Sequence, residues 1–253
     1  MNWAIVSASV IGTSHVATGT PCEDSCYANV ESDFHGRPVL VALVADGAGS
    51  AAHGGSGAER AIESAAAAIL KQIQQVEYCL NEEFATNCVI SVRERLYADA
   101  NAEGDLARDY ACTFLGLVSS CLTTVLFQIG DGGIVVDFGE GLTLAVEPMS
   151  GEYANQTYFV TDMDALDHLS VKVLPGSVKY AAVFSDGIQR LALNLEVNEP
   201  HAPFFAPFFG TMDKISIEKV PDLEGPLRDF LSSQAVNERT DDDKTLVLVA
   251  AKK

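Results

Sequence analysis

Basic residues are scarce in this chain: 16 Lys and Arg stand against 35 Asp and Glu, a net charge of −19. That balance argues against a broad cationic face, so neither nucleic acid nor an anionic membrane is an expected partner. No apolar run approaches the ~18–20 residues that cross a bilayer. The opening MNWAIVSASVIG has no basic region ahead of its apolar residues, which alternate as in a strand, so no signal peptide is expected. The six cysteines (Cys22, Cys26, Cys79, Cys88, Cys112 and Cys121) include no C-x-x-C pair. They read as reduced thiols of a cytoplasmic protein, and a zinc site from Cys22, Cys26 and a histidine is disfavoured. The glycines of GGSGAER lack the Lys-Ser/Thr of a phosphate-binding loop, no G-x-S-x-G falls in register, and no Ser-His-Asp or Cys-His arrangement stands out. Internal repeats, low-complexity stretches and linkers are also missing.

What is present is a chain of 253 residues, 48% of them apolar, enough for a sizeable core and expected to form a single domain over 1–253. Strands are expected at residues 3–11, 27–32 and 38–45, the last a near-continuous apolar run. The period then changes. Ala58, Ile62, Ala65, Ile69, Ile73 and Val76 mark one face of an alanine-rich helix that packs closely on a neighbour. Phe84, Cys88, Val92 and Leu96 mark that neighbour, with Asn81 as its N-cap. Four strand-like segments after Ala111 read as an antiparallel meander, and 148–178 reads as a loose polar stretch. YAAVFSDG is another strand, IQRLALNLE a short helix, and the phenylalanines of HAPFFAPFFG read as core more readily than as a partner surface. A helix around Leu223–Leu231 and the strand KTLVLVAA close the chain.

Acidic residues recur at strand ends. Asp46 ends RPVLVALVAD and precedes Gly47, Asp131 follows VLFQIG and precedes Gly132, and Asp186 ends AAVFSD and precedes Gly187. Asp241, Asp242 and Asp243 stand before KTLVLVAA. One Asp-Gly is ordinary turn chemistry. Four such corners imply carboxylates gathered at one sheet edge, where their repulsion favours a hard divalent cation. GAGSAA also fits the G-x-G-x-x-A of a dinucleotide fold, but Asp46 before the first glycine would repel a pyrophosphate, and no acidic residue ends a second strand at the required distance.

GTPCEDS, VADGAGS, GDGG, FSDGIQ and DDDKTLVLV, in this order and spacing, resemble the successive motifs of the metal-dependent PP2C protein serine/threonine phosphatases, in particular short bacterial members. The resemblance implies an α+β fold, a four-layer αββα sandwich of two antiparallel sheets flanked by paired helices. It implies two Mn²⁺ or Mg²⁺ ions in an end cleft and a phosphorylated protein as substrate, in opposition to a Ser/Thr kinase. Asp46 matches the bridging ligand, Gly47 the backbone-carbonyl ligand, and Asp186 and Asp242 the remaining aspartates. Asp243 is what a one-residue slip would choose in place of Asp242. Glu23 and Asp24 match the acidic pair that supports metal-bound water, and Asp131 matches the ligand of a weaker third ion in some relatives.

Three positions depart from the family. Gly19 stands where an arginine usually grips substrate phosphate, with His15 or Arg190 as candidate substitutes. Ala48 stands where many eukaryotic members have histidine, and Arg190 where relatives place third-metal carboxylates. The competing readings are a catalytically weak member that binds a phosphoprotein or regulatory partner and, behind it, a nucleotide-binding oxidoreductase.

Overall fold

The structure, a computed structural model, describes residues 2–146 and 157–252. Its elements in chain order are β1 (Asn2–Val10), α1 (Thr13–Thr18), β2 (Asp24–Ser32), β3 (Pro38–Asp46), α2 (Gly54–Ile73), α3 (Glu82–Glu103), β4 (Phe114–Ser119), β5 (Thr123–Ile129), β6 (Gly133–Asp137), β7 (Thr143–Val146), β8 (Ser170–Pro175), β9 (Tyr180–Phe184), α4 (Gln189–Ala192), β10 (Leu193–Asn194), β11 (Glu199–Pro200), α5 (Ala202–Lys214), α6 (Glu224–Leu231), α7 (Gln234–Asn237) and β12 (Lys244–Lys252). The long strands form two antiparallel sheets, ordered β1-β12-β9-β6-β7 and β2-β3-β4-β5-β8.

The unbroken apolar runs follow from burial on both faces. In β3, Val39, Val41, Leu43 and Ala45 face α2 and α3, while Leu40, Ala42 and Val44 face the other sheet. In β12, Val247 and Val249 face that inter-sheet layer, and Leu246, Leu248 and Ala250 face α5 and α6. Alternation is present in space, but both destinations are apolar. The result is four layers: helices, sheet, sheet, helices. Ala58, Ala61 and Ala65 are fully buried, and α2 lies close enough to α3 for Ser64 Oγ to donate to the Ser91 carbonyl at 3.1 Å. Asn81 caps α3 as expected, its Oδ1 accepting from Phe84 N–H at 2.9 Å.

Several expectations are corrected. The strands after Ala111 are not one meander: β4 and β5 form a hairpin in one sheet, and β6 and β7 form a hairpin in the other. The chain changes sheets at Gly130–Gly132, where both glycines have positive φ (+94° and +97°) and a Cβ on Gly132 would sit 2.7 Å from Phe184 O. Within the polar stretch, β8 is an edge strand with no fully buried residue, its Val171 and Leu174 only partly buried against the cores; residues 147–156 of that stretch lie outside the described residues. α2 stops at Ile73, leaving Val76 exposed, and IQRLALNLE holds only the four-residue α4. Phe205 and Phe209 are core, with Phe204 and Phe208 half-buried against them. The dinucleotide reading fails here too, because β3 is paired antiparallel to both neighbours and no parallel βαβ unit surrounds the glycines.

The start of β2, the end of β3, the β5–β6 crossing, the end of β9 and the start of β12 lie at one end of the sandwich. All four acidic corners are therefore delivered there.

Candidate active site

The backbone of Asp46 and Gly47 is held from both sides of β3. Its N–H donates to Thr113 Oγ1 at 3.1 Å, and its carbonyl accepts from Thr113 N–H at 2.8 Å. Gly47 N–H donates to Glu23 O at 3.1 Å and Ala48 N–H to Ala111 O at 2.9 Å. The loop then turns back so tightly that a Cβ on Gly47 would lie 2.4 Å from the Gly54 carbonyl carbon. Close backbone approach, not a positive φ, demands this glycine.

Asp186 opens the short turn after β9, and Gly187 follows because a Cβ there would meet Asp243 O at 1.9 Å. The preceding Ser185 links three strands: its Oγ donates to Asp24 Oδ2 at 2.7 Å and accepts from Thr245 N–H at 3.0 Å. Asp24 is thereby fixed behind Asp46, directly opposite it in the β2–β3 register. Asp131 sits in the crossing between sheets, where Thr157 Oγ1 donates to its Oδ2 at 2.7 Å.

The choice between Asp242 and Asp243 is visible in their surroundings. Asp242 lines the end cleft. Asp243 is buried and turned toward the N-terminal segment, accepting from Gly12 N–H and Glu23 N–H, each at 2.6 Å, and contacting His15 Nδ1 at 3.0 Å. It ties α1 and the start of β2 to β12.

The cleft has a volume of about 330 Å³, and its walls include Asp46, Gly47, Asp131, Asp186, Asp242 and His15. No lysine or arginine lines it among the described residues. Burial, together with the charges of Asp24 and Asp186, pushes the Asp46 carboxyl well above the usual range. Asp24 is pushed up to about 7, by burial first and then by Asp243 and Asp186, against the hydrogen bonds from Ser185 and Thr245. Asp186 rises to about 6 through burial and the charges of Asp131 and Asp242. One oxygen of Asp24 and one of Asp186 are buried without a hydrogen-bond partner. Unpartnered buried carboxylate oxygens and crowded acids with no lysine or arginine among the described wall residues are what a hard divalent cation relieves. The donor set fits Mn²⁺ or Mg²⁺ in kind. Among the described residues, however, no three His, Cys, Asp or Glu side chains already stand as a coordination sphere.

The structure brings Asp46, Gly47, Asp131, Asp186 and Asp242 around this one cleft, with Asp24 and Glu23 behind it. Of the two candidate substitutes for the phosphate-gripping arginine, His15 lines the cleft, whereas Arg190 is exposed and is not part of the wall. Gly19 closes α1 with φ +74°, and a Cβ placed on it would meet nothing within 4 Å. Sequence reasoning missed Thr113, Thr157, Ser185 and the clamping role of Asp243. The hydroxyls carry no spacing signal, and Asp243 is one of three consecutive aspartates. All six cysteines are free thiols, and no described helix is long and apolar enough to cross a membrane.

Comparison with known proteins is consistent with this geometry. Residues 11–232 match the family described as Protein phosphatase 2C. The chain is 50% identical over 248 residues to serine/threonine-protein phosphatase 3 of Escherichia coli (strain K12), covering 98% of each. Among solved structures, the catalytic domain of the serine/threonine protein phosphatase PstP, in complex with two manganese ions, superposes with a TM-score of 0.64 at 17% identity, covering 98% of this chain and 97% of that one. The serine/threonine phosphatase of S. agalactiae superposes with a TM-score of 0.64 at 15% identity, covering 99% and 100%.

Proposed function

The chain belongs to the protein phosphatase 2C family, and we propose that it hydrolyses phosphoserine and phosphothreonine in proteins, using a pair of Mn²⁺ or Mg²⁺ ions held in the end cleft. The observation that supports this most is the meeting of four carboxylates from distant strand ends around one cleft, with no lysine or arginine in its wall among the described residues. The half-identical relative is a serine/threonine-protein phosphatase, which supports the same substrate class here.

We assign Asp46, Asp186 and Asp242, with the Gly47 backbone carbonyl, as the donors that would hold the ions, and Asp131 as the donor of a weaker third. When bound, such ions supply a water of lowered pKa and positive charge for the phosphoryl oxygens. The chain itself holds the donors in place. Thr113 and Glu23 fix the backbone on either side of Asp46, Ser185 fixes Asp24 behind it, and Thr157 orients Asp131. Glu23 and Asp24 are assigned to support the attacking water. With the cleft's aspartates assigned as ion donors, and with Thr113 Oγ1 accepting from Asp46 N–H and Thr157 Oγ1 donating to Asp131, water is assigned as the group that attacks phosphorus. We propose that its substrates are proteins phosphorylated by a Ser/Thr kinase, a reading that the half-identical serine/threonine-protein phosphatase supports.

The test is release of phosphate from a phosphoserine peptide by chelator-treated protein, before and after Mn²⁺ is added. Activity that returns with Mn²⁺ supports the reading. Full activity in excess chelator would sink it.

A further inference from the structure

His15 is the basic side chain in the wall of an otherwise acidic cleft, and the structure shows what orients it. Its Nδ1 lies 3.0 Å from Asp243 Oδ2. Asp243 is buried, and its oxygens already accept backbone N–H groups from Gly12 and Glu23. A carboxylate used as an acceptor by two amides takes a third donor, so the proton of the imidazole is fixed on Nδ1. Nε2 is left as the nitrogen that gains and gives up a proton. It stands 3.8 Å from Glu23 Oε2, and the cleft also presents Asp46, Asp186 and Asp242. A histidine in the wall of a reaction cleft, held at one nitrogen by a buried aspartate and with the other nitrogen left without a close hydrogen-bond partner, has the layout of a proton-transfer pair. Ala48, next to Gly47 in the same wall, offers no such group.

We propose that His15, oriented by Asp243, is the catalytic residue that protonates the leaving oxygen of the substrate. The proposal rests on the phosphatase reading above. In the step, a water oxygen forms a bond to phosphorus as the P–O bond to the substrate breaks, and the proton on His15 Nε2 passes to the departing serine or threonine oxygen. The proton released by the attacking water leaves to solvent, and Nε2 is reprotonated from solvent past Glu23. Phosphoserine and water become serine and phosphate, with no further reactant.

The test compares the Mn²⁺-loaded full chain with His15→Gln and His15→Ala on p-nitrophenyl phosphate, phenyl phosphate and a phosphoserine peptide. The p-nitrophenolate group departs without a proton, but phenolate and serine alkoxide leave with increasing difficulty. His15→Gln should lower kcat/KM by ~10²–10⁴-fold on the peptide and by less on phenyl phosphate. On p-nitrophenyl phosphate the loss should stay under ~10-fold. The rise in melting temperature on adding Mn²⁺ should match the wild type. Asp243→Asn, if it folds, should show the same ordering of substrates. An equal loss on all three substrates, a rise in KM alone, or a lost response to Mn²⁺ in both His15 variants would overturn the proposal. A wild type inactive on every substrate would instead remove the phosphatase reading and this inference with it.

Discussion

Asp24 stands directly across from Asp46 where β2 and β3 pair, two carboxyls on neighbouring strands, Asp46 in the wall of the cleft and Asp24 behind it. Both are pushed upward by burial and by nearby acids, Asp24 to about 7. An unfolded aspartate titrates near ~3.9. The stability held by the neutral Asp24 is therefore fully present below about pH 4 and lost as pH rises through about 7. In chelator, Asp24→Asn should melt above the wild type at pH 8, and the gap should close toward pH 4. A few degrees are expected, at about 2–4 °C per kcal/mol for a chain of this size. Thermal melts of both proteins across that window check it; a gap independent of pH would contradict it.

The same crowding makes a cation stabilising. At a free Mn²⁺ concentration of about 100 times Kd, mass action contributes about 2.7 kcal/mol, or about 5–10 °C in Tm. A melt of chelator-treated protein titrated with Mn²⁺ reads this directly. No shift at millimolar Mn²⁺ would argue that the carboxylates do not share an ion.

At the far end of β2, Asp33 illustrates the opposite case. Burial pushes its carboxyl up, but the backbone and guanidinium of Arg37, the N–H of His35 and the hydroxyl of Tyr78 outweigh burial and hold it below the usual range. Its contribution is present above about pH 4 and fades as pH falls through the lowered value. Asp33→Asn should lower Tm by about 2–10 °C at pH 7 and by less at pH 3, because it weakens several hydrogen bonds of a buried acceptor. Turnover at saturating Mn²⁺ should be unchanged, since Asp33 lies just past the end of the β2–β3 pairing opposite to Asp24.

Gly47 tests the backbone. A methyl group there would meet Gly54 at 2.4 Å, so Gly47→Ala must displace either the end of β3 or the start of α2. Misplacing Asp46 by about 1 Å is enough to cost ~10²-fold in turnover. Steady-state kinetics with a melt alongside would separate this from global unfolding. Wild-type turnover would show that the loop yields without moving Asp46.

The strands, the helix pair and the acidic corners were legible in the sequence because they rest on strong local signals: apolar runs of strand length, alanine-rich helical spacing, and Asp-Gly at strand ends; the four-layer sandwich followed from the family resemblance. The sheet to which each hairpin belongs was not. β5 and β6 are both almost wholly buried, so nothing in their side chains marks the crossing at Gly130–Gly132. β8 was hidden because it is a six-residue edge strand without a fully buried residue, broken by Lys172 and closed by Pro175, inside a polar stretch. Asp242 was separated from Asp243 by resemblance alone. Only their surroundings, one facing the cleft and the other clamping Gly12, His15 and Glu23, show what distinguishes them.

The assignment of Asp46 as the shared ligand is tested most directly by comparing kcat of Asp46→Asn and Asp131→Asn with the wild type at saturating Mn²⁺, folding verified by circular dichroism. Both residues directly precede a glycine, Asp46 at the end of β3 and Asp131 in the crossing between sheets, so a purely local backbone role would give small effects at both. The account predicts a fall of at least ~10²-fold for Asp46→Asn, the scale of losing one key electrostatic group, and a clearly smaller fall for Asp131→Asn. Near wild-type turnover in a folded Asp46→Asn would contradict it.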